Sequence, residues 1–231
     1  MEKIIYLLGR EAGADMTACR DWLINAAVPA ALQAGAYSVV LNVADIDEPV
    51  RAESPQRIAG SWEQLGGALH LWFDTLEARA PVEAMLEDRL PWVHGYLVTE
   101  SIPQKCERSW KSGERRPGVT QFTAHAKPEN IDDAEFYHNW QVRHSAISFQ
   151  LHPLRWSYER NAVARIMTPG APPHRSIVLE HFRELRDFTD EGRYFGEQSV
   201  VEEMFAELAG FCDVSTMLTG PMSEYVFERD A

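Results

Sequence analysis

The chain repeats itself, and the repeat limits what it can fold into more than any other feature. Val82-Glu83-Ala84-Met85-Leu86 returns as Val201-Glu202-Glu203-Met204-Phe205, and a similar interval separates Trp22 from Trp140, each in a stretch of helical apolar spacing. Phe73 and Phe182, Leu76 and Leu185, and Leu97-Val98-Thr99 and Met217-Leu218-Thr219 follow in the same order. Two copies of one unit are expected. One turn beyond the tryptophan the first copy carries Ala26 and the second His144, which confines imidazole chemistry at this position to the second copy.

Each copy reads strand, helix, strand, strand, helix, strand. In the first, residues 3–9 form an apolar run suited to a buried strand, and a helix capped by Asp15 or Thr17 stops at Gly35. Strands follow at 37–43 and 68–73, separated by a long polar loop over 45–67 rich in Pro and Gly. Short helical pieces at 75–80 and 81–90 and a strand at 92–100 complete the unit. The second copy predicts strands at 119–126, 154–167, 176–182 and 214–219, a helix over 132–149, and a split helix at 184–188 and 199–209. Asp132 with Glu135, and Ser199 with Glu202, have capping-box spacing, and Ile131 can staple onto Phe136.

This order makes a four-stranded antiparallel sheet with helices on one face, the ferredoxin-like arrangement, and leaves the other face bare. Two such sheets can cover each other. The expected fold class is therefore α+β, two ferredoxin-like βαββαβ repeats forming an intrachain pseudo-dimeric barrel with helices outside. Residues 1–101 and 119–231 are the two repeats, and 102–118 is the linker, where Lys111, Arg115 and Arg116 read as a basic cluster in a solvated loop.

A formal net charge of -13 opposes binding to nucleic acid and to anionic membranes, since a polyanion needs clustered Lys and Arg. No run approaches the ~20 apolar residues of a membrane span. The opening residues Met1 to Tyr6 read as a strand rather than a signal peptide, which points to the cytoplasm. Cys19, Cys106 and Cys212 are far apart and lack a CxxC pair, so neither disulfides nor a thiolate site is expected, and Cys19 and Cys212 read as small core residues. The eight histidines show no two-His-one-carboxylate spacing, and no glycine-rich phosphate loop or nucleophile elbow is present. No metal and no cofactor is predicted. The expected partner is a small apolar molecule, with the chain a monomer by virtue of its internal pseudo-dimer, or a homodimer.

Phe136-Tyr137-His138-Asn139-Trp140-Gln141-Val142-Arg143-His144, opening a helix after a first strand, resembles the Phe-x-x-x-Trp-x-x-x-His signature of the EthD family, in the dimeric α+β barrel superfamily. The likeness extends through Phe182-x-x-Leu185 and the split helix over most of 119–227. It is weaker in residues 3–100, where Ala18 stands at the phenylalanine position and Ala26 at the histidine. The resemblance implies a barrel with ligand space beside its sheets, in a superfamily that includes cofactor-free monooxygenases, polyketide-handling enzymes and isomerising enzymes.

The residues themselves give the chemistry. Phe136, Trp140 and His144 are spaced four apart, on one helical stripe that must face the sheet. An inward imidazole beside aromatic walls can act as a general base or acid near neutral pH. Period-two spacing puts Trp156 and Tyr158 on one face of the second strand, with Arg155 and Glu159 on the other. Tyr158, whose buried hydroxyl needs a partner, is paired here with His144 as the second catalytic residue. Phe136, Trp140, Trp156 and His125 are the expected substrate-binding residues. Two functions fit: a cofactor-independent acid–base enzyme, of lyase, decarboxylase or isomerase type, acting on an aromatic or polyketide-like carbonyl compound; or a non-catalytic protein that holds a hydrophobic metabolite or supports a partner oxidoreductase.

Overall fold

The computed structural model describes residues 1–45 and 62–229. Its strands are β1 (Glu2–Gly9), β2 (Ser38–Val43), β3 (Leu65–Phe73), β4 (Val93–Gln104), β5 (Val119–His125), β6 (Arg155–Ile166), β7 (Ser176–Phe182) and β8 (Leu218–Glu228). They close into one antiparallel barrel in the order β1-β3-β2-β8-β5-β7-β6-β4. Among the described strands closure leaves no unpaired sheet edge. Most of the expected 45–67 loop, residues 46–61, lies outside the described residues.

Helices cover the outer surface. α1 runs from Met16–Trp22 through a π-helical turn at Leu23–Ala27 into Val28–Gln33, and α2 joins a 3-10 turn at Leu76–Arg79 to Ala80–Arg89. α3 runs from Asp133–Tyr137 through a second π-helical segment at His138–His144 into Ser145–Leu151. α4 (Leu185–Thr189), α5 (Glu191–Phe195) and α6 (Gln198–Leu208) complete the layer. Asp15 caps α1 by accepting the Thr17 and Ala18 N–H groups, and Asp132 caps α3 by accepting that of Glu135. Gly35, at φ +102°, turns the chain out of α1 in a conformation that side chains with a Cβ resist.

Corresponding elements keep a constant interval. β1 and β5 begin at Glu2 and Val119, the caps are Asp15 and Asp132, and β2 and β6 begin at Ser38 and Arg155, each pair 117 apart. That interval sets Leu23, not Trp22, against Trp140, and Ala27, not Ala26, against His144. Trp22 is only half-buried and lies under Arg89, whereas Leu23 and Trp140 are both buried. Pairing registers also move the last strand: Val98 lies opposite Lys3, but Met222 lies opposite Thr120. Asp213 accepts the Ser215 N–H and holds Val214–Thr216 in a 3-10 turn, so β8 starts at Leu218, later than expected.

Successive strand residues alternate between two cores. Ile5, Leu7, Tyr96, Phe122, Ile177 and Met222 fill the barrel, while Ile4, Tyr6 and Leu8 pack outward against Leu23, Ala27, Val82 and Leu86 of α1 and α2. Near one end the barrel lining turns polar. Lys3 Nζ donates to Glu100 and Glu159 at 2.7 and 2.6 Å. Arg116 is not solvated: sandwiched between Trp110 and Trp156, it reaches Glu224 at 2.8 Å, because the connecting segment folds across this end. Three other expectations fail locally. α6 is capped at Glu197, with no side-chain bond from the Ser199 box. Cys19 is half-buried rather than core. α5, absent from the sequence reading, is started by Asp190, which accepts the Arg193 N–H.

Candidate functional site

On the outer face of β1 the residues Ile4, Tyr6 and Leu8 are apolar or aromatic and buried; 117 positions later β5 presents Gln121, Thr123 and His125. Leu71 faces Ile4 across the β1–β3 pair, and Glu180 faces Gln121 across the β5–β7 pair. One half therefore builds a packed core under its helices. The other leaves a cavity of about 100 Å³ there. Its floor is Gln121, Thr123, Tyr158 and Glu180, and its roof is Trp140 and His144 of α3 with Leu208 and Phe211 at the end of α6. His125, His152 and Tyr194 close the sides.

His144 sits at this roof, one turn beyond Trp140. Its ring lies 4.7 Å from that of Phe211, and its Nδ1 donates to Glu207 Oε2 at 3.2 Å. A carboxylate can only accept, so the neutral ring carries its proton on Nδ1 and leaves a lone pair on Nε2. Burial lowers the histidine's proton affinity, and the hydrogen bond to Glu207 and the charge of Glu180 recover only part of it. The imidazole is neutral at pH 7 and able to accept a proton.

The floor is fixed by ionic and polar contacts. Arg155 Nη1 donates to Glu180 Oε1 at 2.5 Å, its Nε to Gln104 Oε1 at 3.1 Å, and its guanidinium lies 4.1 Å from the centre of the Tyr158 ring. Burial pushes the Glu180 carboxyl up, but His152 and Arg155 outweigh that and hold it below the usual range. Burial also raises Tyr158, which stays a protonated phenol. Tyr194 donates its hydroxyl to Gln121 Oε1 at 2.6 Å. His125 and His152 donate Nδ1 to the carbonyls of Ala126 and Tyr194, and burial pushes each down to about 4.

Of the residues singled out from sequence, His125, Trp140, His144 and Tyr158 converge on this cavity. Phe136 does not reach it; buried behind Trp140 at 5.5 Å between ring centres, it supports the wall. Trp156 is elsewhere, against Trp110 and Arg116 at the barrel end. The cause is a register shift in β6 between Arg155 and Ser157, which breaks the two-residue alternation and turns Arg155, with Tyr158, to the helix side. The expected bond between Tyr158 and His144 is not among the hydrogen bonds of the described residues; Glu207 takes that role. Glu180, Glu207, Arg155 and His152 were missed. Glu180 had a signal, a carboxylate inside the apolar run Ser176-Ile177-Val178-Leu179-Glu180.

No family model and no curated protein matches this sequence. Solved structures do match. An anthrone oxidase-like protein superposes over 100% of this chain and 94% of its own, at a TM-score of 0.64 and 7% identity. A candidate monooxygenase from Fusobacterium nucleatum subsp. nucleatum ATCC 25586 covers the same shares at a TM-score of 0.51 and 8% identity. The chain thus shares with these structures the fold of a closed antiparallel α+β barrel with helices outside.

Proposed function

We propose that the protein is a cofactor-independent enzyme that removes a proton from the carbon beside the carbonyl of a small aromatic ketone, with His144 as the base. The observation that carries this reading is the His144–Glu207 pair, which directs an imidazole lone pair to a cavity with aromatic walls. The C–H proton passes to His144 Nε2 and the electron pair moves to the carbonyl oxygen, giving an enolate. Tyr158, a neutral donor, holds that oxygen. Trp140 and Phe211 flank the ring. The cavity of about 100 Å³ is smaller than the ~150 Å³ of an engineered cavity that seats benzene, so it takes part of an aromatic ring and the rest of the substrate extends into the mouth. The anthrone named for one structural neighbour is a ketone whose acidic methylene lies between aryl rings, across the ring from the carbonyl, and its deprotonation likewise sends the electron pair to the carbonyl oxygen.

The same reading treats residues 1–101 and 119–231 as two ferredoxin-like repeats joined by 102–118. Supporting it are the 117-residue interval and the matching strand orders β4-β1-β3-β2 and β8-β5-β7-β6. The helix motif is what supports an EthD-like origin for the second repeat.

Deuterium uptake at the benzylic carbon of 1-phenylpropan-2-one, followed by NMR in D2O, tests the chemistry. Wild type is expected to catalyse exchange, with a rate that falls as pH drops through a value below the usual histidine range. His144→Ala should lose roughly 10²- to 10⁴-fold with its circular dichroism unchanged. Exchange that persists in His144→Ala would remove the base assignment; equal ligand affinity in wild type and His144→Ala, with exchange catalysed by neither, would favour the reading as a metabolite-holding protein.

A further inference from the structure

The cavity beneath His144 holds more open polar atoms than the proton transfer uses. His125, at the end of β5, and His152, just past the end of α3, are 3% and 5% exposed and both line it. Each donates Nδ1–H to a carbonyl, His125 to that of Ala126 at 2.8 Å and His152 to that of Tyr194 at 3.2 Å. A neutral imidazole carries one proton, so in both rings the lone pair falls on Nε2. Among the described residues no hydrogen bond reaches either Nε2, and neither atom is sealed from solvent, in contrast to both nitrogens of His70 inside the barrel. The nearby Glu180 Oε1 is 4.0 Å from His152 Nε2, too far to bond it. In side chains so nearly buried, the space these two atoms face is the cavity that the side chains line.

What such a lining takes up follows from its balance of donors and acceptors. Glu180 adds a carboxylate whose Oε1 is held by Arg155 and whose Oε2 is open and unbonded among the described residues. Few donors face these acceptors. Tyr194 gives its hydroxyl to Gln121, Thr123 and Thr219 pair with each other at 2.7 Å, and Tyr158 is committed to the carbonyl oxygen of the substrate. His125, His152 and Glu180 thus present three acceptors to whatever lies under Trp140 and Phe211. They repel carboxylates and phosphates, and a bare hydrocarbon ring would cover their lone pairs without meeting them. An aromatic ring that carries O–H or N–H groups matches both the walls and the lone pairs.

We propose that His125 and His152 set the substrate specificity of this site, each accepting through Nε2 a hydrogen bond from an O–H or N–H donor on the aromatic ring of the ketone. Burial pushes both histidines down to about 4, so both are neutral acceptors at pH 7. That the ligand is a ketone rests on the proton-transfer reading; that it carries donors rests on the lining alone.

The test is a titration of histidine-15N-labelled protein with phenol, aniline and toluene, three rings of similar size of which only the first two carry donors. Imidazole signals are assigned by single His→Phe variants. Phenol or aniline should move the Nε2 signals of His125 and His152 saturably towards the hydrogen-bonded range, in wild type and in His144→Ala alike, and toluene should not. In calorimetry, His125→Phe and His152→Phe should each weaken binding of the donor ligand about 10-fold while keeping that of toluene, a comparison within each variant that a misfolded protein would fail. A response to phenol alone assigns hydroxyl donors, and one to aniline alone assigns amino donors. A response at one ring only keeps that residue and strikes the other. Nε2 signals unmoved at saturating phenol and aniline, or variants that lose toluene and phenol equally while the wild-type signals stay put, overturn the proposal. Donor-dependent shifts in a protein that exchanges no ketone uphold it and remove only the proton-transfer reading; ketone exchange without such shifts does the reverse.

Discussion

The two helix layers of this barrel rest on strands that follow one another in the same order and do opposite things. Beneath α1 and α2, Tyr6 extends outward between Leu23, Ala27 and Val82 and donates its hydroxyl to Glu83 at 2.7 Å. Beneath α3 and α6, the position of Tyr6 is held by Thr123, that of Leu71 by Glu180 and that of Ala27 by His144. Each exchange makes the second layer smaller or more polar. The outward core divides accordingly, one cluster around Phe136 and Trp140 and another around Phe182, Phe188 and Tyr194, with the cavity lined by members of both. Polar residues recurring at core positions lower stability unless they serve a site, because each buried polar group must be paired.

The largest expected difference between the layers is their response to acid. His125, His152, His174 and His181, all in the second half, are held at about 4 by burial; in the first half burial holds His70 at about 3 and lowers His94. An unfolded chain takes up these protons near pH 6.5 and the folded one only near 4. Stability is therefore full above the usual histidine range and is lost as pH falls towards 4, by up to roughly 3 kcal/mol for each group. Hydrogen exchange at pH 4.5 should open α3 and β7 before α1 and β3; equal protection would erase the contrast.

Next in size is a charge placed in the filled layer. Leu71→Glu buries a carboxylate without an arginine beside it and should cost roughly 3–5 kcal/mol in urea unfolding. Glu180→Leu should cost a similar amount by stranding Arg155, and the added change Arg155→Met should restore most of it. Full tolerance of Leu71→Glu would mean that the first layer is as open as the second. A smaller effect is expected from Glu207→Gln. The amide can still accept from Nδ1, so orientation survives while the charge that supports the imidazolium is lost. Ketone exchange should slow about 10-fold, less than with His144→Ala; no change would reduce Glu207 to a surface contact.

Much of this contrast was legible in the sequence. Asp15 and Asp132 announced both helix starts, and four-residue spacing placed Trp140 and His144 on the buried stripe. The 117-residue interval between the caps Asp15 and Asp132 sets Leu23 rather than Trp22 against Trp140, one residue from the match of identical side chains. Trp156 was misplaced by a β-bulge, which no alternation rule anticipates. Glu207 reaches His144 across 63 positions from a different helix, and such a pair is set by tertiary packing alone. Glu180 was readable as a charge inside an apolar strand, yet its meaning depended on Arg155 being turned to the same side.

The most direct measurement is to give the second layer the side chain that fills the first. Thr123→Tyr puts a phenol into the cavity where Tyr6 stands in the other half. A site kept open for a ligand predicts that the variant folds with an unchanged or higher melting temperature and no longer catalyses deuterium exchange into 1-phenylpropan-2-one. A fall of several degrees, as an overpacked core gives, with exchange still running at the wild-type rate, would contradict the account.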